Sequence, residues 1–261
     1  HIRDGKGGKT VFFWEGADGT SREITYQELY NLVGKISKSL KKIGIGKGDT
    51  IGIYMSFTPE SIALMLAAMK IGAVPLLIMS GFGAQALVER LNIVGAKALF
   101  TSDGFPLRNK TIELKNVIHE ALEDAPTLKK VVVIERAGIK TVMTQPRDIF
   151  WNEFLDLGIS AKEVQTASLE SEHPALILFT SGTTGKPKAV VHTHAGILAQ
   201  VAKEIKYCLD YHDTDVFFWY TDLGWMMAPW EILGVQFLGG TYVVFEGKPD
   251  WPDTGRLFEI I

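Results

Sequence analysis

The sequence predicts an α/β fold of largely parallel sheets flanked by helices, with a first α/β subdomain over residues 1–160 and the start of a second over residues 161–261. Three observations predict it. From Thr50 to Thr101, near-continuous apolar strands alternate with helix-period segments, the pattern of a parallel sheet covered on both faces. Between Gly158 and His173 the composition turns polar, which marks a linker. Beyond it, the apolar run Ala175–Phe179 delivers the chain into a loop dense in glycine, hydroxyl and lysine side chains.

The elements follow in order. Val11–Trp14 reads as a short strand, Ala17-Asp18-Gly19-Thr20 as a turn, and Arg22–Ile24 as the returning strand. Thr25-Tyr26-Gln27-Glu28 has capping-box spacing, and Leu29, Leu32, Val33, Ile36, Leu40 and Ile43 recur at helical period up to Gly44. Strands are expected at Thr50–Met55, Val74–Met79 and Ala98–Thr101, with helices at Pro59–Ile71 and Ala84–Val94 between them. Asp103–Lys115 is irregular, Lys130–Ile134 is a strand, and Ala137–Arg147 is a surface excursion. Trp151, Phe154 and Leu155 indicate a short amphipathic helix. After the loop, Val190 and Val191 mark a strand, and Thr193 caps a helix from His194 to Leu209 with Ile197, Val201, Ile205 and Cys208 inward. Val216–Tyr220 and Gly240–Phe245 are strands around the apolar helix that follows Thr221-Asp222-Leu223-Gly224-Trp225.

Composition narrows the function. A net charge of −3, with no basic run interleaved with aromatics, argues against a nucleic-acid binder that works by neutralising phosphates. Cys208 is the single cysteine, which excludes disulfides within the chain and suits a reducing compartment. No apolar run approaches the roughly 20 residues that span a bilayer, and no signal peptide opens the chain, so a cytoplasmic protein is expected. The chain begins at His1 and stops inside Leu257-Phe258-Glu259-Ile260-Ile261, which reads as a piece of a longer protein.

The loop Thr180-Ser181-Gly182-Thr183-Thr184-Gly185-Lys186-Pro187-Lys188 suits a polyphosphate. Gly182 and Gly185 allow the backbone N–H groups to turn inward, as in an anion-binding nest. Ser181, Thr183 and Thr184 offer hydroxyls to phosphate oxygens or a magnesium ion, and Lys186 and Lys188 add positive charge. A Walker A loop would need four residues between its glycines and a helix after its lysine, whereas two residues, a proline and a strand stand here. A solvated hairpin turn would not need three hydroxyls and two lysines. His192 and His194 alternate on an extended segment, but no further ligand cluster accompanies them, so metal binding is not expected.

TSGTTGKPK resembles, position by position, the phosphate loop of the adenylate-forming superfamily. WEGADGTSREITYQEL, IGAVPLLIMSGFGAQAL, TDLGW and GKPDWPDTGRLFEII resemble its acetyl-CoA synthetase branch, so the match extends over nearly the whole chain. The resemblance implies the N-terminal subdomains of that fold, with ATP and a small carboxylic acid giving an acyl-adenylate and coenzyme A then taking the acyl group. It implies phosphate binding by Thr180, Ser181, Gly182, Thr183, Thr184, Gly185, Lys186 and Lys188, with magnesium brought by ATP and held at Thr183. Trp225, Met226 and Met227 would border the acyl group and adenylate. Arg108 and Lys110 stand where the branch binds the phosphates of coenzyme A, although a solvated basic loop explains them equally.

The acetate enzymes carry Gly-His where this chain has Ala228-Pro229, and smaller side chains at the two methionines. GWMM is instead reminiscent of acetoacetyl-CoA synthetases, so acetate specificity is in doubt. The family's later motifs, its ribose-binding aspartate and the small domain with the catalytic lysine lie beyond Ile261. The piece is therefore expected to be inactive by itself, to contain no catalytic residue of its own, and to self-associate through uncovered apolar surface. Two other functions fit the motifs: adenylation that loads a carrier-protein thiol, and a non-catalytic nucleotide-binding module.

Overall fold

A computed structural model of the chain describes residues 1–180 and 187–260. Its elements are β1 (Thr10–Gly16), β2 (Ser21–Thr25), α1 (Tyr26–Lys42), β3 (Thr50–Tyr54), α2 (Pro59–Lys70), β4 (Val74–Ile78), α3 (Ala84–Val94) and β5 (Ala98–Ser102). Then come the hairpin β6 (Gly104–Leu107) and β7 (Lys110–Glu113), α4 (Lys115–Ile118), β8 (Lys130–Ile134), β9 (Asp148–Phe150) and α5 (Trp151–Asp156). The rest is β10 (Pro174–Thr180), β11 (Lys188–Thr193), α6 (His194–Lys203), β12 (Val216–Phe218), α7 (Met227–Phe237), β13 (Thr241–Glu246) and α8 (Arg256–Ile260).

The helix starts are local chemistry. The Thr25 side chain accepts from the Glu28 N–H while Glu28 reaches back to the Thr25 N–H, completing a capping box at α1. Thr58 and Ser61 do the same for α2, with Pro59 at its first position.

A seven-stranded sheet runs in the order β11-β10-β4-β3-β5-β8-β9, and every pairing in it except the β10–β11 hairpin is parallel. Its strands are apolar on both faces because helices cover both. Ile51, Ile53, Phe100, Val132, Leu176 and Leu178 face one core with α1 and α2, whereas Leu76, Leu99, Val131, Val133 and Ile177 face a second core with α3.

A four-stranded sheet, β12-β13-β1-β2, contributes Val11, Phe12, Trp14, Tyr242 and Val244 to the first core. The boundary expected near residue 160 falls between α5 and β10, and strands from its two sides share both sheets. Asp103–Lys115 forms a hairpin rather than an irregular stretch.

Cys208, expected inside, is exposed. The helix from Thr193 changes to a π turn over Glu204–Cys208, and the wider turn carries Cys208 off the face that Val201 and Ile205 bury. Among the described residues, no helix is long and apolar enough to cross a membrane.

Candidate active site

The predicted phosphate loop joins β10 to β11. Thr180 and Lys188 are partners across that antiparallel pair, and both are exposed. Ser181, Gly182, Thr183, Thr184, Gly185 and Lys186 lie outside the described residues. Ile177 pairs with Leu76, so the parallel register sets Thr180 level with Met79, just past the carboxyl end of β4. The strand that leads into the loop is steadied from the side, where the Arg90 guanidinium stacks over Phe82 at 4.2 Å and Phe179 at 5.3 Å.

β3 is the first strand of the parallel set, and β4 and β5 lie on opposite sides of it. Where strand order reverses in this way, loops diverge from the carboxyl ends and leave a crevice. The crevice is present, with a cavity of about 500 Å³. Ser56 and Phe57 follow β3, Met79–Gly81 follow β4, and Phe105–Leu107 of β6 close one side. Trp219–Asp222, Trp225, Met227 and Phe245–Lys248 form the facing wall.

The TDLGW turn reaches this cavity because residue 224 is glycine. A Cβ there would lie 2.3 Å from the Met79 amide nitrogen, so any side chain would push the turn off the end of β4. Asp222 accepts from the Gly224 N–H at 2.9 Å and from the Ser80 hydroxyl at 3.2 Å. Burial raises the Asp222 carboxyl above its ordinary range, against these hydrogen bonds and the pull of Lys248. Trp225 stands at the rim with 56% of its surface exposed.

Glu246, at the end of β13, is a site residue without a sequence signal beyond its place in an apolar strand. Arg136 donates to its Oε2 at 2.7 Å, binds Asp18 Oδ2 at 2.9 Å, and covers the Trp14 ring at 5.4 Å. Burial raises the Glu246 carboxyl despite Arg136, whereas Asp18 is held well below the usual carboxylate range by the same guanidinium. The Ser56 hydroxyl, buried on the same wall, is among the groups that offset the effect of burial on Glu246.

A second cleft, of about 430 Å³, lies between α6 and α7. Met226 and Met227, at the start of α7, line it together with His192, Ile197, Val201 and Trp230, and Gln200 and Glu204 form its polar side. Met227 lines both spaces, whereas Met226 lines the cleft and is not among the residues of the larger cavity. His192 belongs to this cleft, whereas His194 stacks on His173 at 6.0 Å. Among the described residues no cluster of His, Cys, Asp or Glu could hold a metal ion.

Arg108 sits in the β6–β7 turn with φ 55° and pairs with Asp250 at 2.7 Å, while Lys110 is exposed. Their hairpin supplies Pro106 and Leu107 to the larger cavity, which places both cations at its margin.

Comparisons with known proteins agree with this architecture. The AMP-binding enzyme family matches residues 3–261. Over its whole length the chain is 37% identical to an acetyl-coenzyme A synthetase of Chlorobaculum tepidum and 38% identical to one of Pyrobaculum aerophilum. It spans 40% of the length of each. The solved acetoacetyl-CoA synthetase from Streptomyces lividans superposes on the whole chain with a TM-score of 0.88 at 28% identity, the chain covering 39% of it. The chain belongs to the AMP-binding enzyme family.

Proposed function

We propose that the protein carrying this chain is an AMP-forming acyl-CoA synthetase. A carboxylate attacks the α-phosphorus of magnesium-bound ATP, the bond to the β-phosphate breaks, and pyrophosphate leaves. The thiol of coenzyme A then attacks the acyl carbonyl and AMP departs. One observation carries the reading: Met227 borders both the strand-end cavity and the α6–α7 cleft, so an acid in the cleft meets a second substrate in the cavity.

The roles follow from position. The loop from Thr180 to Lys188 grips the β- and γ-phosphates, with magnesium arriving on the nucleotide and Thr183 as its protein partner. Such chemistry asks for positioning and charge, so hydroxyls, backbone N–H groups and lysines suffice without a nucleophilic side chain. Trp225 at the rim and the two methionines border the acyl-adenylate. Arg108 and Lys110, at the cavity margin, meet the phosphates of coenzyme A.

The chain supplies these parts but spans 40% of its relatives, and we propose that by itself it binds ATP weakly, does not turn over and self-associates. The test is acid-dependent pyrophosphate–ATP exchange by the full-length gene product, followed by thioester formation with coenzyme A. Exchange together with thioester supports the reading. Absence of exchange with every acid overturns it, and exchange without use of coenzyme A replaces the acceptor with another thiol.

A further inference from the structure

The α6–α7 cleft is far larger than an acetyl group needs. At about 430 Å³ it falls in the range of sites that enclose whole drug-sized ligands. We propose that the acid activated here has an apolar body of medium-chain or aromatic size, and that the body lies between α6 and α7. The inference rests on the synthetase reading and specifies its substrate.

The cleft is bounded where the two helices approach each other closely. Residue 234 of α7 is glycine, and a Cβ there would lie 2.6 Å from Ile205 Cγ1 and 3.1 Å from the Val201 carbonyl oxygen. The helices therefore touch at that level. Seven residues earlier on α7, roughly 10 Å up the axis, Met227 opens the cleft into the strand-end cavity where the carboxylate is to react. A chain or ring whose carboxylate sits beside Met227 can extend from there into the cleft.

Its walls are apolar and held in place. Ile197 and Val201 come from α6, and Met226, Met227 and Trp230 from α7. The Trp230 indole donates to Glu204 Oε2 at 2.8 Å and meets Phe217 and Trp219 edge-on at 5.5 Å each. Glu204 opens the π turn, and the Gln200 amide donates to its other oxygen. The polar atoms on this side are thus engaged with one another, which leaves the apolar surface to receive a ligand. π turns inside helices recur at functional sites, and this one holds the indole wall. A gap left by poor packing would not be braced in this way.

In an apolar pocket each added methylene that finds contact is worth about tenfold or more in specificity. The experiment is pyrophosphate exchange by the full-length gene product with acetate, hexanoate, octanoate and phenylacetate. The expected result is a kcat/KM for octanoate or phenylacetate at least about 100-fold above that for acetate. Gln200→Trp, at an exposed α6 position on the cleft, should lower octanoate at least about tenfold more than acetate. Val201→Ala, which removes bulk from the lining, should move the optimum toward longer acids and provides the readout if the first variant does not fold. Exchange that favours acetate, or that serves all four acids equally, overturns this inference and leaves the synthetase reading standing. No exchange with any acid overturns both.

Discussion

Glu231 shows how a single residue's surroundings become a measurable property of the protein. It is fully buried in α7, accepts the Trp219 N–H at 3.0 Å through Oε1, and leaves Oε2 without a partner. Burial pushes its carboxyl well above the ordinary value of 4.5. The folded protein therefore keeps a proton that the unfolded chain releases, and stability falls as pH rises above 4.5 until the folded group also ionises. Glu231→Gln keeps the acceptor and cannot ionise. The variant should be more stable than the wild type at pH 7, read as a higher melting temperature, and the gain should vanish below pH 4.5. A gain that persists at pH 4 would assign the effect to packing. At the phosphate loop the expectation is reversed, because Lys188 is exposed and Thr183 and Thr184 are assigned to the ligand. Their alanine variants should melt as the wild type does, while pyrophosphate exchange falls by about one to two decades. Unaltered exchange in all three would remove the loop from the mechanism.

At the scale of elements, the β6–β7 hairpin depends on one carboxylate. Asp103 is buried and accepts the backbone N–H groups of Gly104, Arg136, Ala137 and Ile139, which ties the excursion after β8 to the hairpin that walls the cavity. Asp103→Ala leaves four donors unpaired and should cost about 3 kcal/mol or more in urea unfolding, whereas Asp103→Asn should recover part of it. A loss below about 1 kcal/mol would show that water replaces the carboxylate. Asp103 gave no signal in the sequence, because its four donors lie in segments that only the fold brings together. Thr25 and Glu28 were legible because a capping box is complete within four residues. The parallel strands were legible for a related reason, since burial on both faces leaves apolar runs that need no knowledge of the neighbour. Cys208 misled because a π turn alters the helical period on which its inward placement relied. The motif picked out the methionine pair in the sequence, but the cleft beside them gave no sequence signal, since Gln200, Glu204 and Trp230 meet only when α6 and α7 pack.

At the scale of the whole molecule, the four-stranded sheet has a face that the described residues leave open. Phe13 is 40% exposed and Val216 55% exposed on its strands, beside Phe218 and Val243. Apolar patches of this kind favour association, so sedimentation of this chain should show concentration-dependent self-association that Phe13→Lys with Val216→Lys abolishes. A monomer at all concentrations would refute it. For ATP, charged hydrogen bonds that salt screens must offset the entropy of immobilising the nucleotide. Calorimetry on this chain should therefore give a millimolar or weaker Kd, and micromolar affinity would show a complete site. The pairing of β1 with β13 has a kinetic side as well. Phe13 and Val243 are partners 230 residues apart, and β1 is joined at its other edge only by β2. A ribosome adding about 5–20 residues per second needs roughly 10–45 s to cover that distance, so the nascent hairpin waits with one edge unpaired while the strands from β3 to β9 can already assemble. The β1–β2 hairpin is thus completed only once β13 has been made, and during that interval its unpaired edge is open to chaperones.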